Sequence, residues 1–316
     1  MQYLNADDVR QRLPMPALIE ALRQRFAQGC AVPLRHTHTI SDPNGAPAGT
    51  VLIMPAWRCG GRFGVKTVNI FPGNAARGLP ALHASYMLFD ATTGQPLALL
   101  DGSELTTRRT AAASALAASY LARPDAGCLL VVGAGRVARV LPEAMRCARP
   151  SLRRFLVWNH RADAAARLVA TLRDEGLEAQ AEGDLEAAVG EADIISCATL
   201  SRAPLVRGRW LAAGAHLDLI GSFTPDMRES DGECWRLARA WVDTDEALAK
   251  AGDVLQAMAE GAFEPGRVQG RLSDLCRGAA VDRRPGDRTL FKSVGTALED
   301  LAAAELAIDG LGGESA

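Results

Sequence analysis

The sequence predicts an α/β protein: a doubly wound parallel sheet accompanied by a smaller α+β domain. Three observations predict it. From residue 128 onward, short apolar runs alternate with helical stretches, the pattern of βαβ units. A glycine turn, Gly133-Ala134-Gly135, directly follows the first of those runs. Before it, strand-like runs separated by turn residues fill most of the first third of the chain. At 316 residues the chain has room for two domains. Its 48% apolar and 23% charged residues are ordinary for a globular protein.

The elements follow in order. Within residues 5–28, Val9, Leu13, Ile19, Leu22 and Phe26 recur at helical steps, and Pro14 and Pro16 divide the stretch into two helices. Strands are expected over 35–40, 50–55, 62–70 and 84–89, with turns at Asp42-Pro43-Asn44-Gly45 and Pro72-Gly73-Asn74. A turn at Thr93-Gly94 leads to a strand over 96–101, and an alanine-rich helix spans 104–122 before Pro124. The second part reads as strands over 128–132, 155–158, 193–198, 216–220 and 240–242. A last alanine-rich helix covers 294–308. A helix over 227–237, capped by Asp226, is expected among them.

The run Cys128-Leu129-Leu130-Val131-Val132 followed by Gly133-Ala134-Gly135-Arg136-Val137-Ala138 is a strand, a GxGxxA turn and a helix start. In a Rossmann-type unit the first glycine makes the tight turn and the second admits a pyrophosphate to the helix N-terminus. A small residue such as Ala138 lets helix and strand pack closely. Gly133, Gly135, Arg136 and Val137 are therefore candidate cofactor contacts, and Pro142 is expected to kink the helix that follows. About 20 residues further on, an NAD site usually carries an acid for the ribose 2′-hydroxyl. The chain has Trp158-Asn159-His160-Arg161 there. Asn159 and Arg161 in place of an acid favour NADP(H), with NAD(H) possible.

Net charge is −2, with 35 basic and 37 acidic residues and no block of one sign, so no nucleic-acid partner is expected. The seven cysteines are scattered without a CxxC, which speaks against a disulfide framework and a zinc site, and no metal is expected. The opening MQYLNADDVR lacks the pattern of a signal peptide and no apolar stretch is long enough to span a bilayer, so a cytoplasmic location is expected. Lysine is scarce: Lys66, Lys250 and Lys292 stand among arginines, so a surviving lysine is a candidate for a place that needs a compact ammonium. Arg35, Lys66 and Arg109 sit in structured surroundings poor in acids. On its strand Lys66 shares a face with Gly64 and Val68, and a cation so placed needs an anionic partner or a cleft. His83 reads as a hydrogen-bonded structural histidine, and Lys292 as a surface lysine at a helix start.

Several runs carry a resemblance. They are Phe63-Gly64-Val65-Lys66-Thr67-Val68-Asn69-Ile70-Phe71-Pro72-Gly73-Asn74, Arg109-Thr110-Ala111-Ala112-Ala113-Ser114-Ala115, the turn Gly133-Ala134-Gly135, and Phe291-Lys292-Ser293-Val294-Gly295 with Glu299-Asp300 beyond. In this order, and over nearly the whole chain, they resemble the ornithine cyclodeaminase/mu-crystallin family. The resemblance implies a substrate-binding and dimerisation domain over 1–122 with 292–316, a Rossmann domain over 123–291, and a homodimer assembled through the first. It also implies that Arg35, Lys66 and Arg109 clamp a substrate carboxylate, that Thr110 meets a cofactor phosphate, and that Thr199 and Ser293-Val294 lie around the nicotinamide.

Two departures direct the functional expectation. Ornithine-cyclising members carry a Glu two residues before the Met-Pro of the second strand, where this chain has Leu52 before Met54-Pro55. They also carry an acid/base Asp where this chain has Phe223 in Gly221-Ser222-Phe223-Thr224-Pro225-Asp226-Met227-Arg228-Glu229. The pattern is similar to the mu-crystallin branch, which includes ketimine reductases. The expected activity is reduction by NAD(P)H of a cyclic imino acid, pyrroline-2-carboxylate or piperideine-2-carboxylate, to proline or pipecolate. Lys66 and Asp226 are the candidate catalytic residues, Asp226 as a proton donor if it is not a helix cap. The alternatives are ornithine cyclodeaminase, an alanine-type amino-acid dehydrogenase, and a nucleotide-dependent binding protein without turnover.

Overall fold

The protein is described by a computed structural model covering residues 1–310. It divides into two compact units, Met1–Arg109 with the chain from Thr296 onward, and Thr110–Gly295. The division falls inside the long helix rather than at its end, so the boundaries differ from the expected 122/123 and 291/292; residues 311–316 of the expected first domain lie outside the described residues.

In chain order the first unit supplies β1 (Gln2–Leu4), α1 (Ala6–Arg12), α2 (Met15–Gln28), β2 (His36–Ser41), β3 (Pro47–Trp57), β4 (Arg62–Ile70), β5 (Leu82–Asp90) and β6 (Pro96–Asp101). Helix α3 (Gly102–Leu121) leads into the second unit. That unit comprises β7 (Cys128–Val132), α4 (Arg136–Ala148), β8 (Arg154–Trp158), α5 (Ala162–Asp174), β9 (Glu178–Ala181), α6 (Leu185–Glu191) and β10 (Ile194–Cys197). It continues with β11 (His216–Leu219), α7 (Gly232–Leu237), β12 (Arg239–Val242), α8 (Glu246–Lys250), α9 (Gly252–Ala259), β13 (Val268–Arg271), α10 (Leu272–Cys276) and β14 (Thr289–Lys292). Helix α11 (Ala297–Asp309) returns the chain to the first unit.

In the first unit, the Asn5 side chain accepts from the amides of Asp7 and Asp8 while the Asp8 carboxylate accepts from the Asn5 amide, a reciprocal cap that starts α1. Pro14 ends that helix and stands at the N-terminus of the next, whose Leu18, Ile19, Leu22 and Phe26 form a buried stripe. The sheet runs β1-β6-β5-β4-β3-β2, antiparallel except for the parallel pair β1 and β6. Helix α11 lies against α2 and the inner face of β3, β4 and β5. That face carries Met54, Gly64, Lys66, Val68, Tyr86 and Leu88, all buried. Gly64 is required there: a Cβ would stand 1.9 Å from the Tyr86 Oη.

The second unit is an all-parallel sheet in the order β13-β12-β14-β11-β10-β7-β8-β9. Strands β7, β10 and β11 are buried along their whole length, as expected where helices cover both faces. From β7 the chain first winds outward to β8 and β9, then crosses back to β10 and β11. The topological switch point therefore lies at the carboxyl ends of β7 and β10, where open α/β sheets bind ligands. Helix α4 continues through Pro142 to Ala148 without interruption. One expected element is corrected: the helix after residue 226 is only Gly232–Leu237, and its cap is Asp231, whose side chain accepts from the Cys234 amide. Ahead of it, Ser222 takes a positive φ of 56° and its hydroxyl donates to the Met227 carbonyl, a turn incompatible with an early helix start. No helix among the described residues is long and apolar enough to cross a membrane.

Candidate active site

Two of the expected cations meet in the first unit. Lys66 projects from β4 and Arg109 from α3, and both reach Asp300 on α11. Lys66 Nζ donates to Asp300 Oδ1 at 2.7 Å, and Arg109 Nε donates to the same oxygen at 2.9 Å. Arg109 Nη1 also pairs with Glu299. All four side chains are at least 94% buried, so each charge has left water and survives only through its partners. Burial, followed by the repulsion of Arg109, brings the Lys66 ammonium down to about 8 in spite of Asp300. Asp300 is itself held below the usual carboxyl range, because Arg109 and Lys66 outweigh its burial.

Strand register explains how sequence-distant residues share this place. Met54, Lys66, Tyr86 and Leu100 face one another across β3, β4, β5 and β6. Arg35 immediately precedes β2, whose first residue, His36, pairs with Ile53 of β3, next to Met54 of the Lys66 row. Arg35 is half-buried. Leu52 faces Val68 in the adjacent row of the same face, so an apolar side chain occupies the place of the cyclising members' Glu. His83, by contrast, is exposed on β5 rather than a structural histidine, because its alternate position points away from the covered face.

In the second unit, the glycine turn has the geometry its sequence implies. Gly133 has φ of 123°, and a Cβ there would lie 2.6 Å from the Ala198 carbonyl oxygen. Nothing stands within 4 Å of the Cβ position of Gly135, the N-cap of α4, and no side chain caps that helix. An α-helix N-terminus with no side-chain cap, beside a glycine whose Cβ position is open, suits a pyrophosphate on the first-turn amides of Arg136 and Val137. The Gly133 amide donates to the Trp158 carbonyl at 2.8 Å, bringing the end of β8 beside the turn. There Asn159 is half-buried, donating to the Arg161 carbonyl at 3.2 Å, and Arg161 is exposed at the start of α5. Thr110 is half-buried on α3.

Thr199 follows β10 and Val294 follows β14, and both are half-buried at the carboxyl edge of the parallel sheet. Lys292 is not a surface lysine. It ends β14 fully buried, with Nζ donating to the carbonyls of Leu219 at 3.1 Å and of Gly221, and lies 3.9 Å from Asp253. A parallel strand covered on both faces has no solvent side for it to reach. Asp226 is exposed; it accepts from the Thr224 hydroxyl at 2.6 Å and pairs with Arg202 at 3.2 Å. The Thr224 bond holds its carboxyl below the usual range, so it carries no proton to donate near neutrality, and it caps no helix.

The sequence reading assigned no role to Glu229, Asp243, Asp253 or Asp300, although each is buried. The usable signal was the position of three of them. Asp243 lies just past a strand end, and Glu229 follows the quoted Pro-Asp-x-Arg stretch. Asp300 sits in the first turn of an otherwise alanine-rich helix.

The fold and the glycine turn define a protein with a Rossmann-type dinucleotide-binding unit. The chain belongs to the ornithine cyclodeaminase/mu-crystallin family, whose model matches residues 2–314. It is 41% identical to the Delta(1)-pyrroline-2-carboxylate reductase of Paracoccus denitrificans, over 95% of this chain and 94% of that one. It is 31% identical to the ketimine reductase mu-crystallin of Rattus norvegicus, over 97% and 96% of the two chains. Among solved structures it is similar to Thermococcus litoralis Delta(1)-pyrroline-2-carboxylate reductase in complex with NADH and L-proline. The TM-score is 0.90 at 32% identity, covering 98% of this chain and 97% of that one.

Proposed function

We propose that the protein is an NAD(P)H-dependent reductase of cyclic imino acids, converting pyrroline-2-carboxylate or piperideine-2-carboxylate to proline or pipecolate. The observation that carries this reading is the meeting of Lys66 and Arg109 on one carboxylate oxygen, in a chain whose two cyclodeaminase carboxylate positions hold Leu52 and Phe223. The relatives that reduce pyrroline-2-carboxylate support it.

Arg109 spends Nε and Nη1 on Asp300 and Glu299, and Nη2 makes no hydrogen bond among the described residues. That nitrogen, together with Arg35 just before β2, binds the substrate carboxylate. Charge-assisted bonds of this kind contribute about 1.5–3 kcal/mol each when water is excluded. Lys66, with its ammonium brought down to about 8, gives up a proton more readily than an ordinary lysine and keeps the imine nitrogen protonated. A bound reduced nicotinamide would supply the hydride that, with one proton, turns C=N into CH–NH and leaves NAD(P)⁺. Gly133, Gly135, Arg136 and Val137 hold the pyrophosphate, Thr110 a phosphate oxygen, and Thr199 and Val294 the nicotinamide end. Asn159 and Arg161, with no acid at the end of β8, favour the 2′-phosphate of NADP(H) over NAD(H).

The outer face of the first unit's sheet carries half-buried Val51, Ile53, Val65, Met87 and Leu99, an apolar surface suited to a homodimer. The deciding assay offers the purified protein both cyclic imino acids with NADH and NADPH in parallel, and separately follows ammonia release from ornithine. Imine-dependent cofactor oxidation is expected. Ammonia release from ornithine without imine reduction would reject the reading.

A further inference from the structure

At the carboxyl edge of the second sheet, both loops assigned to the nicotinamide end are tied down by buried carboxylates. Glu229 Oε1 accepts from the Thr199 amide at 2.7 Å and from its hydroxyl at 2.8 Å. Asp243 Oδ2 accepts from the amides of Val294 and Gly295, each at 2.7 Å. Lys292 is buried at the end of β14, its Nζ anchored on the carbonyl ends of β11 and 3.9 Å from Asp253. The fit around Thr199 is close on two sides. A Cβ on Gly221 would lie 2.3 Å from the Thr199 carbonyl oxygen and 2.4 Å from Glu229 Oε1. One on Gly133 would lie 3.4 Å from Thr199 Cγ2. Thr199 is thus held between a buried acid and the dinucleotide turn. Burial pushes both carboxyl groups above their ordinary range, with Lys292 acting in the opposite sense. An apolar filling would be cheaper at these positions, so packing alone does not account for three buried ionisable groups.

We propose that Glu229 and Asp243 are positioning residues that fix the Thr199 and Val294 loops against the nicotinamide end of the cofactor. The inference rests on the reading that these two loops meet the nicotinamide. The pyrophosphate is held separately by the amides of α4. Loosening the bracket therefore leaves the cofactor bound while its reactive end loses its fixed place.

The test reads the nicotinamide directly, through the fluorescence lifetime of NADH or NADPH, whichever the protein binds more tightly. In the unaltered protein the bound nicotinamide is expected to be immobilised and its lifetime lengthened. Glu229→Ala is expected to bind the cofactor within about threefold of the unaltered affinity, to return the lifetime toward the free value, and to lower kcat at least about tenfold. Glu229→Gln keeps an acceptor for both Thr199 donors and is expected to restore the long lifetime. An Ala variant with the unaltered lifetime, or a Gln variant as loose as Ala, overturns the proposal. Should Glu229→Ala not fold, Asp243→Ala decides, because it removes the acceptor of the Val294 and Gly295 amides, and an unaltered lifetime there is equally fatal. A protein that immobilises the nicotinamide but reduces no imine sinks the proposed reaction and leaves this bracket standing.

Discussion

Lys66 and Arg109 show how far a single residue's surroundings can be read from the chain. The strand alternation and the small neighbours Gly64 and Val68 put Lys66 on a covered face, and scarcity of lysine marked it as special. The chain did not reveal that its nearest anion is Asp300, because a contact across more than two hundred residues depends on how α11 returns to the sheet. Each variant is expected to lose at least roughly tenfold in kcat/KM, Lys66→Met because the proton donor to the imine disappears and Arg109→Ala because one charge-assisted contact does. Steady-state kinetics on variants with native circular dichroism check this; turnover like the unaltered protein in both would remove these roles. Asp226 and Lys292 mark the opposite case. Their types and neighbours suited a cap and a surface charge, and only the path of the loop after β11 and the depth of β14 show otherwise.

At the level of elements, the glycine turn separates two roles that a motif merges. Gly133 is required by the protein itself, through its positive φ and the 2.6 Å approach of the Ala198 carbonyl. A Cβ on Gly135 would meet nothing within 4 Å, so the proposed dinucleotide, rather than the protein, is what calls for a glycine there. Gly133→Ala is therefore expected to lower the melting temperature of the protein without any ligand. Gly135→Val should leave that temperature within a few degrees, roughly the span of 1 kcal/mol, and weaken NAD(P)H binding at least about tenfold. Thermal unfolding and cofactor titration of the two variants distinguish these outcomes; equal melting losses in both would contradict the division of roles. The strands 62–70, 96–101 and 128–132 and the break at Pro14 were legible because local signals, alternation and helix caps, agree with the fold there. The short β1, β9 and β13 were not. Three or four residues carry too little pattern, and partners distant in sequence stabilise them.

For the whole molecule, the buried titratable groups of the parallel sheet tie stability to pH. His216 on β11 is fully buried; Thr289 Oγ1 already donates to the Leu121 carbonyl, so the ring's Nδ1 must donate to Thr289 Oγ1 at 2.9 Å. Burial, reinforced by Arg283 and Arg149, lowers its pKa to about 3. Between that value and the ordinary 6.5, an unfolded chain takes up a proton that the folded one refuses. The stability that depends on His216 is thus fully present above pH 6.5 and declines as pH falls toward 3. His216→Asn, which can still donate to Thr289 but does not titrate, is expected to flatten this acid limb relative to the unaltered protein in denaturant titrations across that range. Parallel curves for the two would show that His216 does not contribute.

The sequence by itself determined the two-part architecture, the glycine turn after β7, the covered face on which Lys66 lies and the presence of Leu52 and Phe223 at their positions. These are carried by local periodicity, by glycine conformation and by residue type, all of which act over a few neighbours. Tertiary structure alone decided which acids neutralise Lys66 and Arg109, why Lys292 is buried, and that Glu229 and Asp243 hold the loops at the sheet's edge. Those facts depend on strand order and on the return of α11. An isolated carboxylate in the chain is indistinguishable from a solvated one until the fold removes its water.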